Sequence, residues 1–268
     1  MRSVEDRRGM LRRLHEQGLF VLPNAFDVGS ARLLASLGFR ALATTSSGHA
    51  ATLGRLDQQV QRDELLRHAA ALADAVDVPL SVDAERCFAQ DASGITRTVD
   101  LLADTGAAGF SLEDYDPATD RIDDREQAVE RVAAAADAAR RHGLVLTARA
   151  ENLLYGVADL DDTIARLRAY HQAGADVVYA PGLTDLEQVR RVCAEVEAPV
   201  NVLLLPGGPP VDALAEAGVR RVSTGGALAW AAYGAVARAG RELLGTGTTG
   251  FLTDVLSLDD RGAAFGHG

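Results

Sequence analysis

A glycine that ends a helix, followed at once by a short apolar run, occurs four times in this chain, as "LGFRALAT", "TGAAGFSL", "AGADVVYA" and "AGVRRVST". Its glycines stand at Gly38, Gly106, Gly174 and Gly218, and the first two intervals are equal at 68 residues, the length of two strand-helix units. Such punctuation marks a helix C-terminus followed by a strand. Eight apolar runs fit the scheme, at residues 19–25, 40–46, 78–84, 108–114, 144–150, 176–182, 199–206 and 219–225. Most lack polar alternation, which is the pattern of strands covered on both faces in a parallel sheet. Helical patterns such as "TRTVDLLADTG" and "REQAVERVAAAADAARRHG" separate them. Eight successive strand-helix units, with no second set of antiparallel strands, predict an α/β chain forming a single (β/α)8 TIM-type barrel over residues 1–268. An N-terminal helix (1–18) and a C-terminal helical extension (245–268) flank it. No Gly-x-Gly-x-x-Gly follows the first strand, which argues against a dinucleotide-binding fold.

Composition narrows the partners. The chain of 268 residues is 47% hydrophobic and only 5% aromatic, so its core is built of Ala, Leu and Val. A formal charge of −11 with no basic run excludes nucleic acid and anionic membranes as natural partners. Two distant cysteines, Cys87 and Cys193, form neither a disulfide framework nor a zinc motif. The charged N-terminus has no apolar signal core, and no apolar stretch reaches 18 residues, so a cytoplasmic protein is expected.

In such barrels the chemistry lies where strands end at their C-terminal rim. The ends here are polar: Asn24 and Asp27, then "TTSSGHA", then Asp83 and Glu85, Glu113 and Asp114, Arg149 with Glu151 and Asn152, Asn201, and finally Ser223 and Thr224. Asp83 and Glu85, two residues apart, share one face if the strand continues through them. Several desolvated carboxylates on one rim each cost several kcal/mol unless compensated. A hard divalent cation such as Mg²⁺ relieves that cost, with Asp83, Glu85 and Glu113 as its candidate ligands. The opposite reading pairs these groups with surface cations such as Arg86. Arg149, ending an apolar strand, calls for an anionic partner, either substrate or cluster carboxylate. The Gly48 loop can bring backbone N–H groups against an anion. His49 as an acid or base and Cys87 as a nucleophile are weaker signals, since neither has a partner residue in a recognisable pattern.

Taken together, "LPNAFDVGSARLL", "SSGHAATLGRLDQ", "SVDAERCF", "AGFSLED" and "LTARAEN" resemble the isocitrate lyase and phosphoenolpyruvate mutase superfamily across most of the barrel. The resemblance implies a Mg²⁺-dependent enzyme, with Mn²⁺ as an alternative ion, acting on small 2-oxo or hydroxy dicarboxylates or on phosphonates. It also implies a homotetramer, a dimer of dimers with exchanged C-terminal helices, or a homodimer. The family's carboxylate-binding Ser-Gly loop falls on Ser47, Gly48 and His49, its loop aspartate on Asp57, its metal-side carboxylates on Asp83, Glu85 and Glu113, and its substrate-binding arginine on Arg149. Asn201 is a further candidate for substrate contact. Two departures stand out. The usual Asp-x-Asp of the third strand reads Asp83-Ala84-Glu85, and the segment after Glu113, "DYDPATDRIDDREQ", lacks the Lys-Lys-Cys-Gly-His gate of the lyase branch and the Lys and Asn of the mutase branch. The expected activity is therefore a lyase or decarboxylase acting on an oxaloacetate-like 2-oxo or hydroxy dicarboxylate through a metal-stabilised enolate, with Asp57, Arg149 and Glu113 at the reaction centre. A carbon–phosphorus mutase or hydrolase of the phosphonopyruvate type is the alternative, and an oxo-acid-binding barrel that has lost catalysis is the third.

Overall fold

The computed structural model describes residues 2–266. Eight parallel strands form one sheet: β1 (Phe20–Leu22), β2 (Leu42–Ala43), β3 (Leu80–Asp83), β4 (Gly109–Glu113), β7 (Val145–Arg149), β8 (Val177–Tyr179), β9 (Val200–Leu203) and β10 (Arg221–Ser223). A short antiparallel hairpin, β5 (Tyr115–Asp116) and β6 (Arg121–Ile122), stands apart from them. Each of the eight apolar runs contains one barrel strand. The order is β1-β10-β9-β8-β7-β4-β3-β2, with helices between successive strands, so the fold is the expected TIM-type barrel. Gly38, Gly106, Gly174 and Gly218 all have positive φ, from 82° to 107°, a conformation that costs a side-chain-bearing residue strain.

The barrel closes between β1 and β2 through one bridge, Asn24 to Ala43. The Ala25 N–H donates to the Ala43 carbonyl at 2.7 Å, and the Ala43 N–H to that of Pro23 at 2.9 Å. Asn24 reinforces this seam on both sides. Its Nδ2 donates to the Thr44 carbonyl at 2.6 Å, while its Oδ1 accepts from the Thr224 and Gly225 N–H groups at 2.9 Å each. This rim asparagine is thus a structural joint.

Helix Val4–Leu14, capped by Ser3, plugs the N-terminal mouth of the barrel. Leu11 and Leu14 pack with Phe20, Leu22, Ala43, Val145 and Val177 in a cluster separate from the larger core between strands and outer helices. Fully burying such a side chain contributes about 1.5–3 kcal/mol. Arg8 staples the plug in place by donating to the carbonyls of Ala107, His142 and Ala103 at 3.1, 2.8 and 2.7 Å. At the other end of the chain, helix Ala227–Gly245 buries only Ala229, and a terminal helix, Leu258–Phe265, returns to pack on helix Val28–Ser36. His267, a tail residue without an expected role, lies outside the described residues. No helix among the described residues is long and apolar enough to cross a membrane.

Candidate active site

Arg149 organises the rim. From the end of β7 its guanidinium reaches three carboxylates: Nη1 to Asp83 Oδ1 at 2.8 Å, Nη2 to Glu113 Oε2 at 3.2 Å and Nε to Glu151 Oε1 at 2.7 Å. Its charge also lies 5.3 Å from the centre of the Tyr179 ring. Burial alone would depress this guanidinium, but Glu151, Glu113 and Asp83 hold its pKa well above the ordinary value. Arg149 therefore has cluster carboxylates as its anionic partners, and Glu151 joins the cluster as its third member.

Asp83 is the most heavily engaged of these carboxylates. Its Oδ1 also accepts from Ser111 Oγ at 3.1 Å, and its Oδ2 accepts from the Ser46 N–H at 3.0 Å. Glu113 accepts from Gln58 Nε2 at 3.0 Å, which ties the Asp57–Gln58 loop to β4. Strand β3 ends at Asp83, and Glu85 sits in a tight turn with φ of 47°. The alternation of a strand thus does not extend to Glu85, although the two charges still feel each other. Burial first, and then Asp83 and Asp57, push the Glu85 carboxyl up to about 8. Asp57 projects from an exposed loop, but the protein crowded around its carboxyl, and then Asp83, raise its pKa too. Burial drives Glu113 and Glu151 upward despite Arg149.

The "SSGHA" segment is the first turn of a helix, Ser46–Thr52, capped by Thr45. The Gly48 N–H donates to Thr45 Oγ1 at 3.3 Å and the His49 N–H to the Thr45 carbonyl at 3.0 Å, so both are already engaged. Gly48 is required for packing, since an added Cβ would lie 2.5 Å from Thr45 Cγ2 and 2.9 Å from Phe26 Cβ. His49 turns inward and stacks on His68, ring centres 3.7 Å apart, with both its ring nitrogens unpartnered among the described residues. Of this segment, Ser46 and Ser47 line the cavity. Cys87 is fully buried and burial pushes its thiol up to about 12, which is the opposite of an activated nucleophile.

The cavity, about 220 Å³, opens at this rim and descends into the barrel. Asn24, Asp57, Asp83, Arg149, Ser46 and Ser47 form its mouth, and Ser111, Tyr179, Asn201, Arg221 and Ser223 its deeper walls. Asn201, fully buried, donates from Nδ2 to Ser223 Oγ at 3.0 Å and accepts from Arg221 Nε at 2.8 Å. Tyr179 and Arg221 are cavity residues that reading the sequence missed. A polar residue within a strand run, as in "VRRVS", was the available signal.

The family model for Phosphoenolpyruvate phosphomutase matches residues 11–244. The chain belongs to the phosphoenolpyruvate phosphomutase family. A solved structure from Burkholderia cenocepacia J2315, described as a lyase/mutase, is 46% identical, covers 96% of this chain and 94% of its own, and superposes with a TM-score of 0.92. The uncharacterized protein Rv1998c of Mycobacterium tuberculosis is 35% identical over 86% of this chain and 87% of its own length. An oxaloacetate decarboxylase of Rhodopseudomonas palustris is 32% identical over 80% of this chain and 77% of its own.

In this member of the phosphoenolpyruvate phosphomutase family, the segment after Glu113 is an anchored hairpin. Arg86 pairs with Asp123, Asp114 accepts from Tyr170 at 2.5 Å and from Arg166 at 3.1 Å, and Tyr115 stacks on Tyr155 at 3.8 Å. A divalent cation suits the rim by charge and donor type. Three carboxylates, Asp83, Glu113 and Glu151, pair with one guanidinium, Asp57 and Glu85 lie near enough to feel its charge, and the Glu85 side chain makes no hydrogen bond to the described residues. No three His, Cys, Asp or Glu side chains among the described residues already stand as a metal cage. Asp83 lines the cavity and Glu85 is near enough for the Asp83 charge to raise its carboxyl, whereas Glu113 is committed to Arg149 and Gln58.

Proposed function

We propose that this chain is a Mg²⁺-dependent lyase or decarboxylase that breaks a carbon–carbon bond of a small, oxaloacetate-like 2-oxo or hydroxy dicarboxylate. The observation that carries this reading is the convergence of Asp83, Glu113 and Glu151 on Arg149 at the mouth of a cavity that Asp57, Asp83 and Arg149 line, with more carboxylates gathered there than that guanidinium can neutralise. The 32% identity to an oxaloacetate decarboxylase supports the substrate class. Asp83 and Glu85 would hold the ion, which when bound supplies Lewis-acid stabilisation of negative charge developing on the substrate's 2-oxygen. Arg149 holds Asp83 and Glu113 in place at fixed distances, so the mouth needs little rearrangement as charge develops. Ser46 and Ser47 line the mouth where a substrate carboxylate would enter. Asp57, with its raised pKa, can carry a proton on a carboxylate oxygen and deliver it to the carbon left with the electron pair when the bond breaks. The anchored hairpin contributes neither the thiol nor the lysine of a gate, so proton transfer falls to residues of the rim.

The decisive assay follows pyruvate formation from oxaloacetate with Mg²⁺ and after EDTA. Turnover well above the spontaneous rate, lost on chelation and restored by Mg²⁺ or Mn²⁺, is expected. Unchanged turnover in EDTA sinks the reading, and phosphate release from phosphonopyruvate would replace it with carbon–phosphorus chemistry.

The same reading includes an oligomer, a homotetramer or homodimer. Helix Ala227–Gly245 leaves Trp230 52%, Val236 69% and Leu244 91% exposed, an apolar surface that its own barrel does not cover. Sedimentation should give a dimer or tetramer mass, and a monomer at micromolar concentration would overturn this part.

A further inference from the structure

The register of the barrel sets five polar or charged residues in one oblique row. Glu113 pairs with Arg149, Arg149 with Tyr179, Tyr179 with Asn201, and Asn201 with Arg221. The row then meets Phe20 on β1, whose ring lies edge-on to His15 of the plug helix at 4.9 Å. It therefore runs from the C-terminal rim, where Glu113 ends β4, down to the buried floor, where Arg221 begins β10.

The two arginines of this row differ in their partners. Arg149 is surrounded by three carboxylates, whereas Arg221, 4% exposed, has no carboxylate within 4 Å among the described residues. Its neighbours are neutral: Nε donates to Asn201 Oδ1, and Nη1 lies 3.5 Å from His15 Nε2. His15 supplies no charge, because burial, and then Arg221 itself, lower its pKa to about 3. The Arg221 pKa is itself lowered to about 10, first by burial. A buried cation without a counter-ion is costly, and it is retained here on the wall of the candidate active-site cavity.

We propose that Arg221 is the anion-binding residue of the cavity floor, holding the carboxylate at the end of the substrate remote from the Asp83 and Glu85 rim. Asn201 acts as its positioning residue, since the Nε bond fixes the guanidinium plane and Ser223 in turn holds the Asn201 amide. The cavity then selects acids with a charge at both ends: one end meets the rim and the ion it would hold, the other meets Arg221. This inference rests on the reading of the site as one for small 2-oxo or hydroxy dicarboxylates, and it adds the residue that recognises the second carboxylate.

Two 2-hydroxy acids test it as ligands, malate and 2-hydroxybutyrate, which differ only in that a methyl replaces the far carboxylate. Titration calorimetry with Mg²⁺ present should show wild-type protein binding malate roughly 10- to 100-fold more tightly. Arg221→Gln should abolish that preference and leave 2-hydroxybutyrate binding unchanged, while Arg221→Lys should restore part of it. If Arg221→Gln keeps the preference, or weakens both acids equally, the assignment fails and the lyase reading stands. If the wild-type protein binds neither acid, both fail. Should Arg221→Gln not fold, a crystal structure of the wild-type protein with malate decides the matter: a carboxylate oxygen within hydrogen-bond distance of the Arg221 guanidinium supports the inference, and malate bound without that contact overturns it.

Discussion

Arg149→Met is expected to cost roughly 3–5 kcal/mol of folding stability, a fall in Tm of ~6–20 °C, together with loss of turnover. The reason is the charge left behind. Asp83, Glu113 and Glu151 each lose an ion pair at 2.7–3.2 Å, and the last two are buried where water cannot replace it. The pH dependence gives an independent check. Removing the cation raises the Glu113 and Glu151 carboxyl pKa values further above those of the unfolded chain, so the folded variant binds protons more readily than its unfolded form. Its deficit relative to the wild-type protein should therefore shrink as pH falls through the raised folded values toward about 4. Thermal unfolding of both proteins across that range measures it. A deficit that grows on acidification would show that the three carboxylates are not compensated by Arg149.

Asp83→Asn should do the opposite to the fold while being as damaging to turnover. Roughly 10³-fold of rate should be lost, because the carboxylate that lines the cavity mouth and would help hold the ion is gone. Stability should be unchanged or slightly raised. Arg149 keeps Glu113 and Glu151, so no cation is orphaned, and Glu85 and Asp57 are relieved of the Asp83 charge that helps to raise both. Steady-state rates with oxaloacetate, set beside melting curves, separate the two variants. Equal losses of Tm in Arg149→Met and Asp83→Asn would mean that Asp83 serves the scaffold rather than the chemistry.

The barrel was legible in the chain because its signals are local. Apolar runs of strand length, helix-ending glycines at Gly38, Gly106, Gly174 and Gly218, and the absence of polar alternation each follow from backbone geometry and burial within a few residues. The polar strand ends were legible for the same reason: Asp83, Glu113 and Arg149 follow directly on apolar runs. Less legible was how far each strand continued. Glu85 follows Asp83 by two residues, but the strand stops between them, since a turn with left-handed φ at Glu85, Cys87 and Phe88 is held by tertiary packing that no local pattern announces. His49 and Gly48 misled in a related way, because a Ser-Gly segment can be a loop that cups an anion or, as here, a capped helix packed on Phe26 and His68.

By itself, then, the sequence determined the architecture and the identity of the polar rim, since hydrophobic period and strand-end position depend only on residues adjacent in the chain. Partner choice among the charges was decided by the tertiary structure. Glu151, Glu113 and Asp83 converge on Arg149 from three strands or strand ends, and strand register places Arg221 at the floor of the same cavity without a carboxylate. Those distances depend on how eight separated strands are tilted and paired, and long-range pairing of that kind leaves no trace in the spacing of residues along the chain.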